Sequence, residues 1–281
     1  MSRIAYENSN GDVIDLNSGN FLCNEKTLRT FKWGYTFNSL PSDRGASVDS
    51  FYRGENTFEL TLIAWSESYE KTAQLLNNLS NTIEYDVRMR TAGKLWLDNY
   101  YIECYIVGGS VNKYFRNKSA CSKRYTVLPV GMYWCYETKT NFPIGSGVQT
   151  SQGIKKYNLR YPYKYGIGYS SQTIYNDSEK WETPSIITIY GPITNPSLLI
   201  AGNVYAVYTT IGSNERIVID QKMKKIYKIG PTGAKSNLYP YRDKTHNIFE
   251  YIPSGNVDVV YSGDFGFDIA LIHQRSEPIW S

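Results

Sequence analysis

The stretch ERIVIDQKMKKIYKI, residues 215–229, decides how this chain is read. Its two ends, ERIVID and KKIYKI, are short runs rich in β-branched and aromatic residues, and the polar DQKM lies between them. If the chain turns through Asp220, Gln221, Lys222 and Met223, the aspartate takes the first turn position. There its carboxylate accepts hydrogen bonds from the backbone amides that follow. A general acid or base would want a second acid, a histidine or a metal partner, and none stands near Asp220 in sequence. Lys222, Lys224, Lys225 and Lys228 then form a solvated face, which also discourages pairing at a sheet edge. The stretch predicts a β-hairpin rather than a catalytic carboxylate ringed by lysines.

Similar runs surround it. SIITIYG, SLLIAG, VYAVYTTI, NIFEYIPSG, VDVVYSG and FDIALIHQR recur between residues 185 and 275, punctuated by Gly, Asn and Pro, without a helical period between them. With SQTIYND and the aromatic NLRYPYKYGIGY before them, they predict an all-β second domain over residues 158–281, an antiparallel β-sandwich. Upstream, ETKTNFPIGSGVQTSQGIKKY (137–157) is rich in Gly, Ser, Thr and Lys and reads as a linker.

Residues 1–136 form the other predicted domain. RIAYENSNGDVIDLNSGNFLCNE holds two alternating runs broken at Asn10-Gly11, a hairpin signal. LRTFKWGYTFN (28–38) and NTFELTLIAWS (56–66) read as strands. Between them SLPSDRGASVDSFYRGEN (39–56) lacks a sustained period and reads as a long excursion. From Ser66 the period changes: Tyr69, Ala73, Leu76, Leu79 and Ile83 line one helical face, Ser66 caps it, and Glu67 and Glu70 suit the positive end of the dipole. The helix is expected to end near Asn81, because TIEYDVRMR is rich in β-formers. Two strand-like runs, KLWLDNYYIECYIVGG and KRYTVLPVGMYWCYE, follow on either side of a basic tip, SVNKYFRNKSA (110–120), which predicts a projecting arm. The fold class expected is mainly β: an α+β first domain with one helix, then an all-β domain.

At 281 residues the chain is long enough for two cores. Its 30 basic and 26 acidic residues are interspersed, giving a net charge of +4 without the one-sided basic block of a phosphate-tracking protein. No apolar run reaches the ~20 residues of a membrane helix, and the first residues lack the layout of a signal peptide. The sequence thus predicts a soluble protein made in the cytosol. Its 26 tyrosines and six tryptophans suit half-buried strands and contact surfaces.

Chemistry-bearing motifs are weak. GPTGAKSN (230–237) has two residues between its glycines and an alanine before Lys235, so it is not a P-loop. DVVYSGDFGFD has acids at the wrong spacing for a calcium loop. His246 stands beside a turn and His273 inside a strand, and both read as structural. Cys23, Cys104, Cys121 and Cys135 are widely spaced and read as buried free thiols. The Asn78, Asn117 and Asn176 sequons carry no weight without a secretory signal. No catalytic set, metal site or cofactor is predicted.

In order, YPYKY (161–165), PSIITIYGPITNPSLLIAG (184–202), ERIVIDQKMKKIYKI, NIFEYIPSG (247–255) and FDIALIHQRSEPIW (267–280) resemble the C-terminal half of distal tail proteins of long-tailed, non-contractile phages. GPITNP (191–196) and RSEPIW (275–280) are the most telling pieces, and the first half resembles that family's ring-forming domain in its order of elements. The resemblance implies a ring-forming β-sandwich domain followed by a galectin-like β-sandwich. It implies a homo-hexameric ring at the distal end of the virion tail, a baseplate hub made in the host cytoplasm. The implied partners are the tail-tube protein, the tape-measure protein, a tail-associated hub protein, and receptor-binding or other baseplate proteins. DNA would pass through the channel without being recognised, and no membrane is involved. Longer relatives insert a carbohydrate-binding module for which this chain has no spare segment. The fold does not carry lectin activity with it.

Closed rings use heterologous contacts, one patch of a subunit meeting a different patch of the next. The two projections therefore nominate Arg44, Arg53, Tyr114, Phe115 and Arg116 as subunit-contact residues. Two rival readings are a carbohydrate-binding adhesin acting on host glycans, which would use the same sandwich and tyrosines, and a glycan-degrading enzyme, for which no carboxylate pair can be nominated.

Overall fold

The computed structural model describes residues 2–39, 46–54, 57–115, 119–145, 148–150, 169–178 and 181–279. The chain divides into two compact units, Met1–Tyr136 with Gln274–Ser281, and Glu137–His273. The last eight residues thus belong with the first unit, not with the second domain in which the sequence reading put them. Residues 137–142, expected as linker, are the second part of a strand.

Unit 1 carries strands β1 (Ile4–Glu7), β2 (Val13–Asp15), β3 (Phe21–Cys23), β4 (Gly34–Ser39), β5 (Ala46–Tyr52), β6 (Phe58–Trp65), β7 (Gly93–Leu97), β8 (Tyr100–Tyr114), β9 (Ala120–Pro129) and the start of β10 (Trp134–Phe142), with helix α1 (Tyr69–Met89). The order β2-β1-β7-β8-β9-β6-β3 is antiparallel throughout. Long β8 pairs with β7 through its first residues and with β9 through the rest. The Asn10-Gly11 hairpin is present, closed by a wider loop in which the Asn8 side chain accepts from the amides of Asn10 and Asp12.

Helix α1 packs on β6, β8 and β9. Its cap is Ser68, which accepts from the Lys71 amide at 3.3 Å, rather than Ser66, whose hydroxyl is engaged by Ser68 O and Thr72. The helix also runs past the expected end at Asn81 to Met89, where Arg90 caps it in the left-handed region (φ 54°). Tertiary anchoring overrides the local β preference of TIEYDV. Leu79, Ile83 and Asp86 share the buried face, and the Asp86 carboxylate accepts from the Tyr6 hydroxyl (2.6 Å) and the Ser9 amide (2.7 Å). Gly93 faces this cluster closely enough that a Cβ would collide with Asp86, Tyr6 and the Glu7 carbonyl.

Unit 2 contains the rest of β10, then β11 (Val148–Thr150), β12 (Tyr169–Asn176), β13 (Ser185–Tyr190), β14 (Ile193–Thr194), β15 (Ser197–Ile200), β16 (Asn203–Ala206), β17 (Thr210–Ile211), β18 (Arg216–Asp220), β19 (Lys225–Ile229), β20 (Lys235–Asn237), β21 (Gly255–Tyr261) and β22 (Phe267–Arg275), which ends in the returning tail. One layer runs β10-β22-β13-β18-β19-β20, the other β11-β12-β21-β15-β16. Alternate residues of both face a shared core that includes Ile187, Ile219, Val259, Tyr261, Phe267 and Ile269. This is an antiparallel sandwich, in keeping with alternation along each strand.

The hairpin over 215–229 forms as β18 and β19, and Asp220 accepts from the Met223 amide at 2.8 Å. One expected strand is absent: residues 247–254 of NIFEYIPSG form a loop with a single bridge, Ile252 to Thr183, before Gly255 opens β21. Asn247 turns the chain there by accepting from the Phe249 amide through its side chain and the Glu250 amide through its carbonyl. Among the described residues, α1 is the only α-helix, and none is long and apolar enough to cross a membrane.

Candidate interaction surface of the first unit

Residues 39–56, expected as an excursion without period, contain one strand of a hairpin. Strands β4 and β5 pair with each other and with no other strand among the described residues. An isolated two-stranded ribbon is marginal in water, so its order depends on what it packs against. Tyr35 lies opposite Phe51 and Phe37 opposite Val48, which puts all four side chains on one face. The Tyr35 and Phe37 rings are 6.2 Å apart. Opposite-face positions are polar, and Thr36 and Ser50 share a 2.6 Å hydroxyl contact. Tyr52 covers that other face at Gly34, where a Cβ would fall 2.6 Å from its ring.

The apolar face is open to solvent: Tyr35, Phe37, Val48 and Phe51 are 59, 59, 52 and 67% exposed. Each such side chain contributes about 1.5–3 kcal/mol when buried, and a contiguous exposed apolar patch marks an interaction site.

Arg53 sits at the foot of this hairpin. Its guanidinium lies 5.7 Å from the Trp33 ring centroid and 5.0 Å from that of Tyr133. It donates to the Met132 carbonyl and, at 3.4 Å, to the Ser276 carbonyl of the returning tail. Burial lowers its pKa, against the opposing pull of Tyr133. Arg53 therefore works first as an internal tie, joining the hairpin, the β9–β10 turn and the tail. Beside it a groove of about 500 Å³ is lined by residues that include Leu28, Phe31, Phe58, Leu128, Met132 and Trp134.

Tyr114 and Phe115 lie on a separate hairpin, at the end of β8. They are 55 and 38% exposed, and the Lys113 ammonium stands 5.5 Å from the Phe115 ring centroid. Strand pairing continues to Tyr114–Cys121, so the arm is built of ladder for much of the span expected as non-periodic. Arg44 and Arg116 lie outside the described residues.

Sequence reasoning missed Tyr35, Phe37, Val48 and Phe51 because the β4–β5 register slips between Thr36 and Phe37. A bulge makes Asp49 the extra residue, so Val48 and Phe51 share a face at a spacing of three instead of two. The alternation in Tyr35 and Phe37 was the one usable signal.

The groups that resembled chemistry have local partners. His246 Nδ1 is 2.6 Å from the Asp243 carboxylate, and His273 Nδ1 is 3.0 Å from Asp177. Burial pushes the His273 pKa down, against Asp177. The four cysteines are free and buried, with the Cys23 thiol pushed up to about 12 by desolvation. Among the described residues no cluster of His, Cys, Asp and Glu is arranged to hold a metal.

No protein-family model and no curated protein matches the chain. Solved structures do. A chain of the phage P2 baseplate in its activated conformation with Ca aligns over 99% of both chains with a TM-score of 0.64 and 16% identity. A chain of the corresponding baseplate with Sr covers 99% of this chain and 100% of that one, with a TM-score of 0.63 and 15% identity. The Dit (gp 19.1) protein of SPP1, described as a paradigm of the hub adsorption apparatus in phages infecting Gram-positive hosts, aligns over 98% of this chain and 99% of its own. Its TM-score is 0.59 and its identity 9%. Both units therefore belong to one shared full-length fold.

Proposed function

We propose that this chain is a distal tail protein, a structural hub component of a phage baseplate. The observation that carries the reading is the solvent-exposed apolar face of Tyr35, Phe37, Val48 and Phe51, on a hairpin with no third strand among the described residues. Full-length likeness of fold to two baseplate chains and to SPP1 Dit supports it.

Subunits close into a six-membered ring through heterologous contacts, with the β4–β5 face of one subunit covered by the next. The β8–β9 arm, with Tyr114 and Phe115, lies at or near these contacts, and Arg44 and Arg116 are contact residues as well. Unit 2 docks receptor-binding or other baseplate proteins, and the ring joins the tail tube to them at the tail tip. The role is structural and non-enzymatic.

Electron microscopy of the purified protein, alone and with its neighbouring tail proteins, tests the reading. Annular particles with six-fold symmetry and an open channel are expected; particles without a ring in both samples overturn it.

A further inference from the structure

Both legs of the β4–β5 hairpin meet the same short piece of chain. Arg53 directly follows Tyr52, the last residue of β5, and its Nη2 donates to the Ser276 carbonyl at 3.4 Å. Arg29 closes the 3-10 turn Glu25–Arg29 that leads toward β4, and its Nη1 donates to the carbonyls of Pro278 and Ile279 at 3.5 and 3.1 Å. Trp33, the residue before β4 opens at Gly34, has its ring centroid 5.7 Å from the Arg53 guanidinium. Residues 276–279, within the segment Gln274–Ser281 of unit 1, therefore run from the exit of one strand to the approach of the other.

The hairpin needs such a support. It pairs with no third strand among the described residues, and a two-stranded ribbon alone is marginal in water. The tail contact is built into the unit rather than laid upon it, because the Arg29 side chain is 6% exposed and Pro278 is buried. A guanidinium at that depth is costly unless it is hydrogen-bonded, and the tail carbonyls are acceptors for it. Withdrawing the tail takes two acceptors from Arg29 and one from Arg53, at the two points where the hairpin joins the unit.

We propose that residues 276–279 are a strap that sets the order of the β4–β5 hairpin. Seated, the strap joins the two legs, and the face of Tyr35, Phe37, Val48 and Phe51 is presented on a rigid ribbon. Released, the ribbon opens locally while the sheet of β6, β8 and β9 stays closed. Whatever pulls the tail away thus withdraws the interaction face. The coupling concerns order within one chain and does not depend on ring formation.

Amide hydrogen exchange of the full chain, read by NMR, tests it. A background of Tyr35→Lys with Phe51→Glu, two exposed positions, keeps subunit contacts out of the readout. Pro278→Lys puts an ammonium at a buried position beside the Arg29 guanidinium and displaces the strap from its own side. Arg29→Met removes the receiving donors from the other side. Each variant is expected to speed exchange of the β4–β5 ladder amides about tenfold or more, while those of the β6–β9 ladder stay within about threefold of the background. The variant with both changes should exchange no faster than the faster single one, because both act through one contact. Failure of both single changes to loosen the hairpin selectively overturns the proposal, and so does a combined variant in which the two effects multiply.

Discussion

The Arg53 guanidinium lies 5.0 Å from the centroid of the Tyr133 ring, and this contact fixes the foot of a hairpin that has no third strand among the described residues. Cation–π contact and main-chain hydrogen bonds act together there. Arg53→Ala is expected to lower the unfolding free energy by about 1–2 kcal/mol in denaturant titration and to speed proteolysis within β4–β5. Arg53→Lys should restore only part of this, because a point charge cannot both stack and fork across two carbonyls.

Asp86 and Tyr6 lock the C-terminal half of α1 to β1 across 2.6 Å. Tyr6→Phe leaves a buried carboxylate one donor short and should cost about 1–3 kcal/mol. Gly93→Ala, which drives a methyl group into the same cluster, should destabilise as well. Because the two sites share Asp86, the double variant is expected to lose less than the sum, as read by thermal or denaturant melts.

The Asp243 carboxylate accepts from the Thr245 amide (2.9 Å), from His246 Nδ1 (2.6 Å) and from the Thr245 hydroxyl (2.7 Å), which hold its pKa at about 2. An unfolded-chain aspartate titrates near ~3.9, so this stabilisation is complete above about pH 4 and is lost as the pH falls through the folded value. Thermal midpoints of the wild type should drop between about pH 4 and 2 more steeply than those of Asp243→Asn. Equal slopes would remove Asp243 from the acid response.

Sandwich strands of the second unit were legible because most follow clean alternation, and Asp220 at the β18–β19 turn follows from local turn chemistry alone. Illegible parts depended on long-range contacts. Residues 82–89 are helical because Asp86 meets Tyr6, eighty residues away in sequence, and residues 274–279 leave the second unit because Arg29 and Arg53 receive them. The interaction face was hidden by a bulge: one extra residue at Asp49 breaks the period that would have revealed Val48 and Phe51 as partners of Tyr35 and Phe37. Arg53 was singled out by its place in a projecting segment, but its contacts with Trp33, Tyr133 and Ser276 could not be read from spacing.

The apolar hairpin face makes the most direct claim. Tyr35→Lys with Phe51→Glu changes only exposed positions and leaves an opposite-charge pair across the ladder, so the fold should be largely kept while subunit association is lost.

Native mass spectrometry of the wild type beside this double variant is therefore the deciding measurement. The account predicts a six-subunit species of the 32.2 kDa chain for the wild type and single subunits for the variant. A wild type that stays a single subunit even with its neighbouring tail proteins, or a variant that assembles as the wild type does, would contradict it.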